Sequence, residues 1–172
     1  MKSVIILGSS RRQGNTAQLA QHLASEMNAE IVDLASYHIQ PYDYEHNNQS
    51  DDFASLMEHI LSFDHLIFAS PIYWYSASAT MKLFLDRMCD LIEIDKKRGR
   101  SLKQKTASVI STGAAQEAVS CFEPVFSLTF DYFNMQYNGM LYCCCPQVYH
   151  KDEHDKKLSV FVRNITPNTN PS

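Results

Sequence analysis

The sequence has no C-x-x-C pair, no lysine placed to end a Walker loop, and no apolar run long enough to span a bilayer. Each gap closes off a class of protein. Five cysteines stand in 172 residues: Cys89, Cys121 and the consecutive Cys143, Cys144 and Cys145. An odd count in a chain of this size does not make a disulfide framework, and without paired spacing a zinc or iron–sulfur site is unsupported. They read as small buried hydrophobes in a reducing compartment, with a reactive thiol on the site side of a strand as the lesser alternative. No basic segment followed by a long apolar stretch precedes Val4, so no secretory leader is expected and the location reads as cytoplasmic. Net charge is small too. Fifteen basic and 19 acidic residues leave a formal net charge of −4, too little to argue for nucleic acid or an anionic membrane as a partner. Internal repeats and linkers are absent, and residues 1–172 read as one domain. His150 and His154 stand four apart, but no third ligand is evident and the expected metal set is none.

What is present begins with an apolar run, Val4 to Leu7, that leads into the polar stretch Gly8 to Thr16 and then into a helical pattern. A strand, a tight polar turn and a helix start together make a phosphate seat. The unpaired N–H groups of the first helical turn point outward, and the helix dipole favours an anion there. Gly8 and Gly14 let the backbone approach a ligand, Ser9, Ser10, Asn15 and Thr16 supply donors, and Arg11 and Arg12 supply charge. Asn15 follows Gly14 where a Walker loop needs lysine, and G-x-G-x-x-G is missing. The turn therefore suits a terminal monophosphate.

The remaining pattern alternates strand and helix. Strands are expected at Val4–Leu7, Glu30–Leu34, His65–Ser70, Thr106–Ser111 and Met140–Cys145. Helices are expected from Asn15 to a stop at Asn28, from Asp51 or Asp52 onward, from about Ser78, and over Gln116–Tyr132 with Pro124 kinking or dividing the last. That helix is apolar on most sides, which hints at a subunit interface. Lys96–Arg100 reads as a solvated basic turn. Ser36–Ser50 is the longest irregular stretch, of the kind that is often functional or mobile. After Lys151 the tail is polar, with one helix through Leu158–Val162 and a loose Pro/Asn/Thr-rich end. Such alternation predicts a doubly wound parallel sheet, with ligand bound beyond the carboxyl ends of the strands.

Three loops converge on that edge. The first takes a phosphate. The second, Pro71, Ile72, Tyr73 and Trp74, offers a flat wall for an aromatic ring system, although Tyr73, Trp74 and Tyr75 taken alone fit interface packing equally well. The third, Thr112-Gly113-Ala114, is small and permits close approach. A phosphate at one end and a planar ring at the other describe a mononucleotide such as a flavin.

The motifs Gly8-Ser9-x-Arg11-x-x-Gly14-Asn15-Thr16, Ser70-Pro71-Ile72-Tyr73-Trp74, Met81-Lys82 through Leu85-Asp86-Arg87, and Ser111-Thr112-Gly113 resemble those of the NADPH-dependent FMN reductases of the flavodoxin-like superfamily, over roughly residues 1–145. The resemblance implies an α/β flavodoxin-like three-layer sandwich with a five-stranded parallel sheet in order 2-1-3-4-5. It implies FMN, its phosphate held by Ser9, Arg11, Asn15 and Thr16, and its ring lying against Pro71, Ile72, Tyr73 and Trp74 with Thr112 and Gly113 on the other edge. It implies a homodimer or homotetramer. An iron–sulfur branch of the family carries clustered cysteines before the second helix. Tyr42–Asn48 has none, so no cluster is expected.

The expected activity is ping-pong: NADPH or NADH reduces FMN, leaves, and is replaced by a small-molecule acceptor such as a quinone, an azo compound or free flavin. No side chain stands out as a catalytic acid or base. Tyr73, Trp74 and Ser36–Ser50 are candidates for a lid over the acceptor. A flavodoxin-like electron carrier and a cofactor-free binding domain are the alternatives.

Overall fold

Alternation of side chains along a strand sends successive residues to opposite faces, and the first strand shows what that does here. In the computed structural model, which describes residues 1–166, β1 (Ser3–Leu7) is buried along its whole length. Val4 and Ile6 join one hydrophobic cluster; Ile5 and Leu7 join another on the opposite face. The further strands are β2 (Glu30–Asp33), β3 (His65–Pro71), β4 (Thr106–Gly113) and β5 (Gln136–Cys144), all parallel, in order β2-β1-β3-β4-β5. Helices α1 (Asn15–Met27) and α7 (Lys151–Ile165) cover one face. Helices α2 (Phe53–Ile60), α3 (Ala79–Arg87) and α6 (Phe122–Tyr132) cover the other, with the short α4 (Asp90–Glu93) and α5 (Lys96–Ser101) following α3. This is the expected three-layer arrangement and strand order.

Local chemistry explains most boundaries. Asn28 ends α1 in the left-handed region at φ 50°, and its N–H bonds back to the Ala24 carbonyl. Asp51 accepts the Phe53 N–H at the start of α2, and Ser78 accepts the Met81 N–H at the start of α3. On α6, Phe122, Phe126 and Phe130 point inward; Phe126 and Phe130 pack against Phe68 of β3, and Phe122 packs against Phe126.

Five expectations are corrected. Lys96–Arg100 is not a solvated turn but most of α5. Asp95 accepts the Arg98 N–H at its start, and Gly99 lies so close to α4 that a Cβ would stand 2.1 Å from the Leu91 carbonyl oxygen. Helix α6 begins at Phe122, not Gln116. Pro124 therefore sits in the first turn, where its missing N–H leaves no bond unmade, and it kinks nothing. Thr112 and Gly113 are not loop but the last residues of β4, and the Thr112 carbonyl accepts the Ile72 N–H at 3.0 Å. β5 starts at Gln136 because a bulge continues it through Asn138-Gly139: Ala107 pairs with Tyr137, but Val109 pairs with Met140, and Gly139 has φ 93°. The tail helix is also longer than Leu158–Val162. α7 buries His154, Leu158, Phe161 and Ile165. The remainder of the Pro/Asn/Thr-rich end lies outside the described residues. No helix among the described residues is long and apolar enough to cross a membrane.

Candidate functional site

The pairing of Leu7 with Ala69, Pro71 with Thr112 and Gly113 with Cys144 sets the carboxyl ends of four strands side by side. The loops that leave them are pinned by buried hydroxyls. Ser78 Oγ donates to the Gly8 carbonyl at 2.6 Å, the Ser78 N–H donates to Ser70 Oγ at 3.0 Å, and Ser111 Oγ donates to the Ser70 carbonyl at 2.7 Å. Thr16 Oγ1 and Thr112 Oγ1 share a buried bond of 2.7 Å that ties the start of α1 to the end of β4. Full burial makes each of these bonds costly to break.

The loop after β1 curls on itself. The Arg11 N–H reaches Ser9 Oγ, and the Gly14 N–H donates to the Arg11 carbonyl at 3.0 Å. Its glycines are closely packed. A Cβ on Gly8 would stand 2.7 Å from Met81 Cβ, and one on Gly14 2.9 Å from Arg11 Cβ. No side chain caps α1, and its first turn has no acid. The N–H groups there open toward a cavity of about 680 Å³, within the size range of small-molecule sites.

Nine of the ten expected site residues line this cavity: Ser9, Arg11, Asn15, Thr16, Pro71, Ile72, Tyr73, Thr112 and Gly113. Among the described residues Arg11 is the only charged side chain on its wall, and it has no carboxylate partner. Arg12 is different: its guanidinium turns to Asp33 at 3.7 Å and to Ser36 Oγ at 3.5 Å. A wall with one cation and no acid suits an anion.

Trp74 is the exception. The Tyr73 and Ser76 N–H groups bond reciprocally to each other's carbonyls, making a tight turn with Trp74 (φ 45°) and Tyr75 (φ 67°) at its tip. Positive φ at two bulky residues is strained. Trp74 is 90% exposed and lines not the main cavity but a side hollow of 220 Å³ with Tyr75, Glu117 and Tyr142. Ile72, Gly113 and Ala114 form the ridge between hollow and cavity.

The sequence reading missed a fourth wall, the loop after β5, which brings Cys145, Gln147 and Val148 to the cavity. The signal was there: in a parallel sheet every strand ends at the same edge. Cys143 and Cys145 face α1 and α7, whereas Cys144 faces the Ala114 carbonyl. Burial pushes the Cys145 thiol up to about 11, so it is held protonated rather than reactive at neutral pH. Ser36–Ser50 does not reach the cavity wall. Among the described residues no group of three or more His, Cys, Asp or Glu side chains is placed to hold a metal ion, and His154 packs on Tyr149 with ring centroids 5.0 Å apart.

The sequence model of the NADPH-dependent FMN reductase family matches residues 1–155. YwqN of Bacillus subtilis, named as an NAD(P)H-dependent FMN-containing oxidoreductase, is 34% identical over 151 residues, 81% of this chain and 82% of its own length. An FMN-dependent NADPH-azoreductase of Staphylococcus aureus is 32% identical over 98 residues, 51% of this chain and 52% of its own. Among solved structures, the Trp repressor binding protein of Bacillus subtilis superposes with a TM-score of 0.76 at 27% identity, covering 97% of this chain and 99% of its own. FerB of Paracoccus denitrificans, an NAD(P)H:(acceptor) oxidoreductase, superposes at 0.68 and shares the fold at 16% identity, over 95% of this chain and 94% of its own.

Proposed function

The chain belongs to the NADPH-dependent FMN reductase family, and from that premise we propose that the cavity seats FMN with its phosphate at the start of α1, and that donor and acceptor use the open ring side in turn. The observation that carries this reading is the gathering of three distant loops around one cavity at an uncapped helix start. The residues fit the group. Backbone N–H groups and Arg11 match a phosphate, Ser9 and Thr16 add hydroxyls beside them, and Pro71, Ile72 and Tyr73 with Thr112 and Gly113 leave a slot for a planar ring.

When bound, FMN supplies hydride acceptance from NADPH or NADH and onward delivery of electrons. This chain's own part is to bind and orient. Pinned by Ser70, Ser78 and Ser111, the Pro71–Tyr73 wall holds its place without a ligand's help, so little ordering is required on binding. No acidic side chain among the described residues faces the slot to repel an arriving dinucleotide. Among the described residues no second nucleotide-binding unit stands beside this sheet, which favours a ping-pong order. The exposed indole of Trp74 beside the side hollow favours a flat acceptor such as a quinone or azo compound.

A homodimer fits the other exposed surface. A groove of 390 Å³ runs between α3 and α6, its floor made by Leu85, Met88 and Val125, with Leu128 and Tyr132 standing out of it. That is the outer side of the broadly apolar helix noted in the sequence. The five free cysteines fit a cytoplasmic setting.

The test is steady-state oxidation of NADPH by FMN-loaded protein with menadione as acceptor. Parallel double-reciprocal lines are expected. Intersecting lines would reject the alternating order, and no turnover would reject the reductase reading.

A further inference from the structure

The expected role of Asn15 is to donate to the cofactor phosphate, yet its side chain is already engaged. Nδ2 donates to the Gln147 carbonyl at 3.0 Å and to the Cys145 carbonyl at 3.3 Å, and Oδ1 accepts the Tyr149 N–H at 3.0 Å. Two carbonyls on one side and an N–H on the other fix which amide atom is which. Both amide protons are in use, so none is left to donate to a ligand.

Those three partners are consecutive parts of the missed wall. Residues 145–149 have no ladder of their own beyond the Cys145 N–H to the Gly113 carbonyl at 2.7 Å, and Pro146 contributes no N–H. The far end of the segment is held from behind. Tyr149 is buried outside the cavity lining. Its hydroxyl lies 2.7 Å from His22 Nδ1 on α1, and His22 Nε2 stands 3.0 Å from Asp155 Oδ1 on α7. An Nε2–H donated to that carboxylate leaves Nδ1 to accept the phenol proton. Tyr149 also stacks on His154, whose Nε2 is 3.6 Å from Cys145 Sγ.

We propose that Asn15 and Tyr149 are positioning residues of a clasp that holds the 145–149 wall shut against the cofactor cavity, and that the phosphate is met at this position by the backbone N–H of Asn15, not its side chain. The inference rests on the FMN-binding reading and adds the source of the fourth wall. It also ties cofactor affinity to α7, which lies on the far side of that wall.

FMN and riboflavin separate the two roles, because riboflavin lacks the phosphate. A side chain that donates to phosphate matters only to FMN; a clasp on the wall matters to both. In Asn15→Ala both affinities, read by quenching of flavin fluorescence, should fall by the same factor, about tenfold for the lost hydrogen bonds. Tyr149→Phe keeps the stack, loses the hydroxyl, and should shift both equally but by less. Without any flavin, hydrogen exchange at the Tyr149 amide should speed up in Asn15→Ala. Loss of FMN affinity alone in Asn15→Ala, an unchanged affinity for both flavins, or unaltered exchange at Tyr149 would each overturn the clasp. If the unmodified protein binds neither flavin, the cofactor reading fails, and the exchange measurement still judges the clasp on its own.

Discussion

Two excursions beyond the strands, Ser36–Ser50 and the loop after β1, behave in opposite ways. Ser36–Ser50 is the longer and more polar, and it is bonded almost throughout. Asp43 receives the N–H groups of Glu45 and Asn47, and Asn48 Nδ2 reaches the Pro41 carbonyl. His46 sits with one ring nitrogen 3.0 Å from Asp90 and the other 3.0 Å from Glu93. The stretch then meets a latch: Arg87, 2% exposed, pairs with Asp51 and Asp90, donates to the Gln40 carbonyl and lies 4.7 Å over the Phe53 ring. The loop after β1 is shorter, yet among the described residues it leaves the Arg11 guanidinium without a partner and a helix start without a side-chain cap. Length and polarity therefore do not mark a ligand loop here. On the proposed reading of the site, unmet hydrogen-bonding capacity is the mark instead.

Removing the latch should cost most. Arg87→Met leaves two carboxylates, one of them fully buried, without their cation, a loss of about 3–5 kcal/mol of stability by urea denaturation. If the comparison is right, the variant that still folds at low temperature binds FMN as before, because the latch stands away from the cavity. Acid offers a second break, on the opposite face of the sheet. His65 is wholly buried, its Nε2 lacks a partner among the described residues, and burial lowers its pKa from 6.5 to about 4. Its folded value lies below its unfolded value, so the unfolded chain binds the extra proton first. That stability is whole above pH 6.5 and is lost as pH falls toward 4, by about 3 kcal/mol from a shift of this size. His65→Val should flatten this part of the stability–pH profile. Asp51 answers in the same direction at lower pH. Its burial would raise the carboxyl, but Arg87 and the N–H groups of Gln40 and Phe53 outweigh that and hold it below the usual range, so the latch loosens only as pH falls through that depressed value.

Arg11→Met sharpens the contrast from the other side. Losing a charge-assisted contact to phosphate should weaken FMN binding by about 1.5–3 kcal/mol while apo stability stays within about 0.5 kcal/mol. A combined loss of folding would make the loop structural after all. The smallest effect is expected at the strained tip. Trp74→Gly suits φ 45° and should raise stability by about 1 kcal/mol in thermal unfolding, while KM for menadione rises and KM for ferricyanide does not.

Much of this was legible in the residues. Alternating apolar strands and punctuated helices carry the parallel sheet, the family resemblance carries its strand order, and Asn28 marks the end of α1 because its left-handed conformation suits asparagine. What was not legible depends on distant partners. Lys96–Arg100 reads as a solvated turn until Leu91 is seen pressed against Gly99, and the last strand reads as starting at Met140 until β4 is seen to pair on both sides of the bulge. Asn15 looks like a ligand residue because nothing local reveals that residues 145–149 arrive beside it.

The central claim is that an anion seats at the uncapped start of α1. The direct measurement is an amide NMR titration of the apo protein with FMN. The account predicts that the Asn15, Thr16 and Ala17 amide resonances shift most, together with the Arg11 guanidinium. Shifts confined to other parts of the molecule, with those four signals unmoved at saturation, would contradict it.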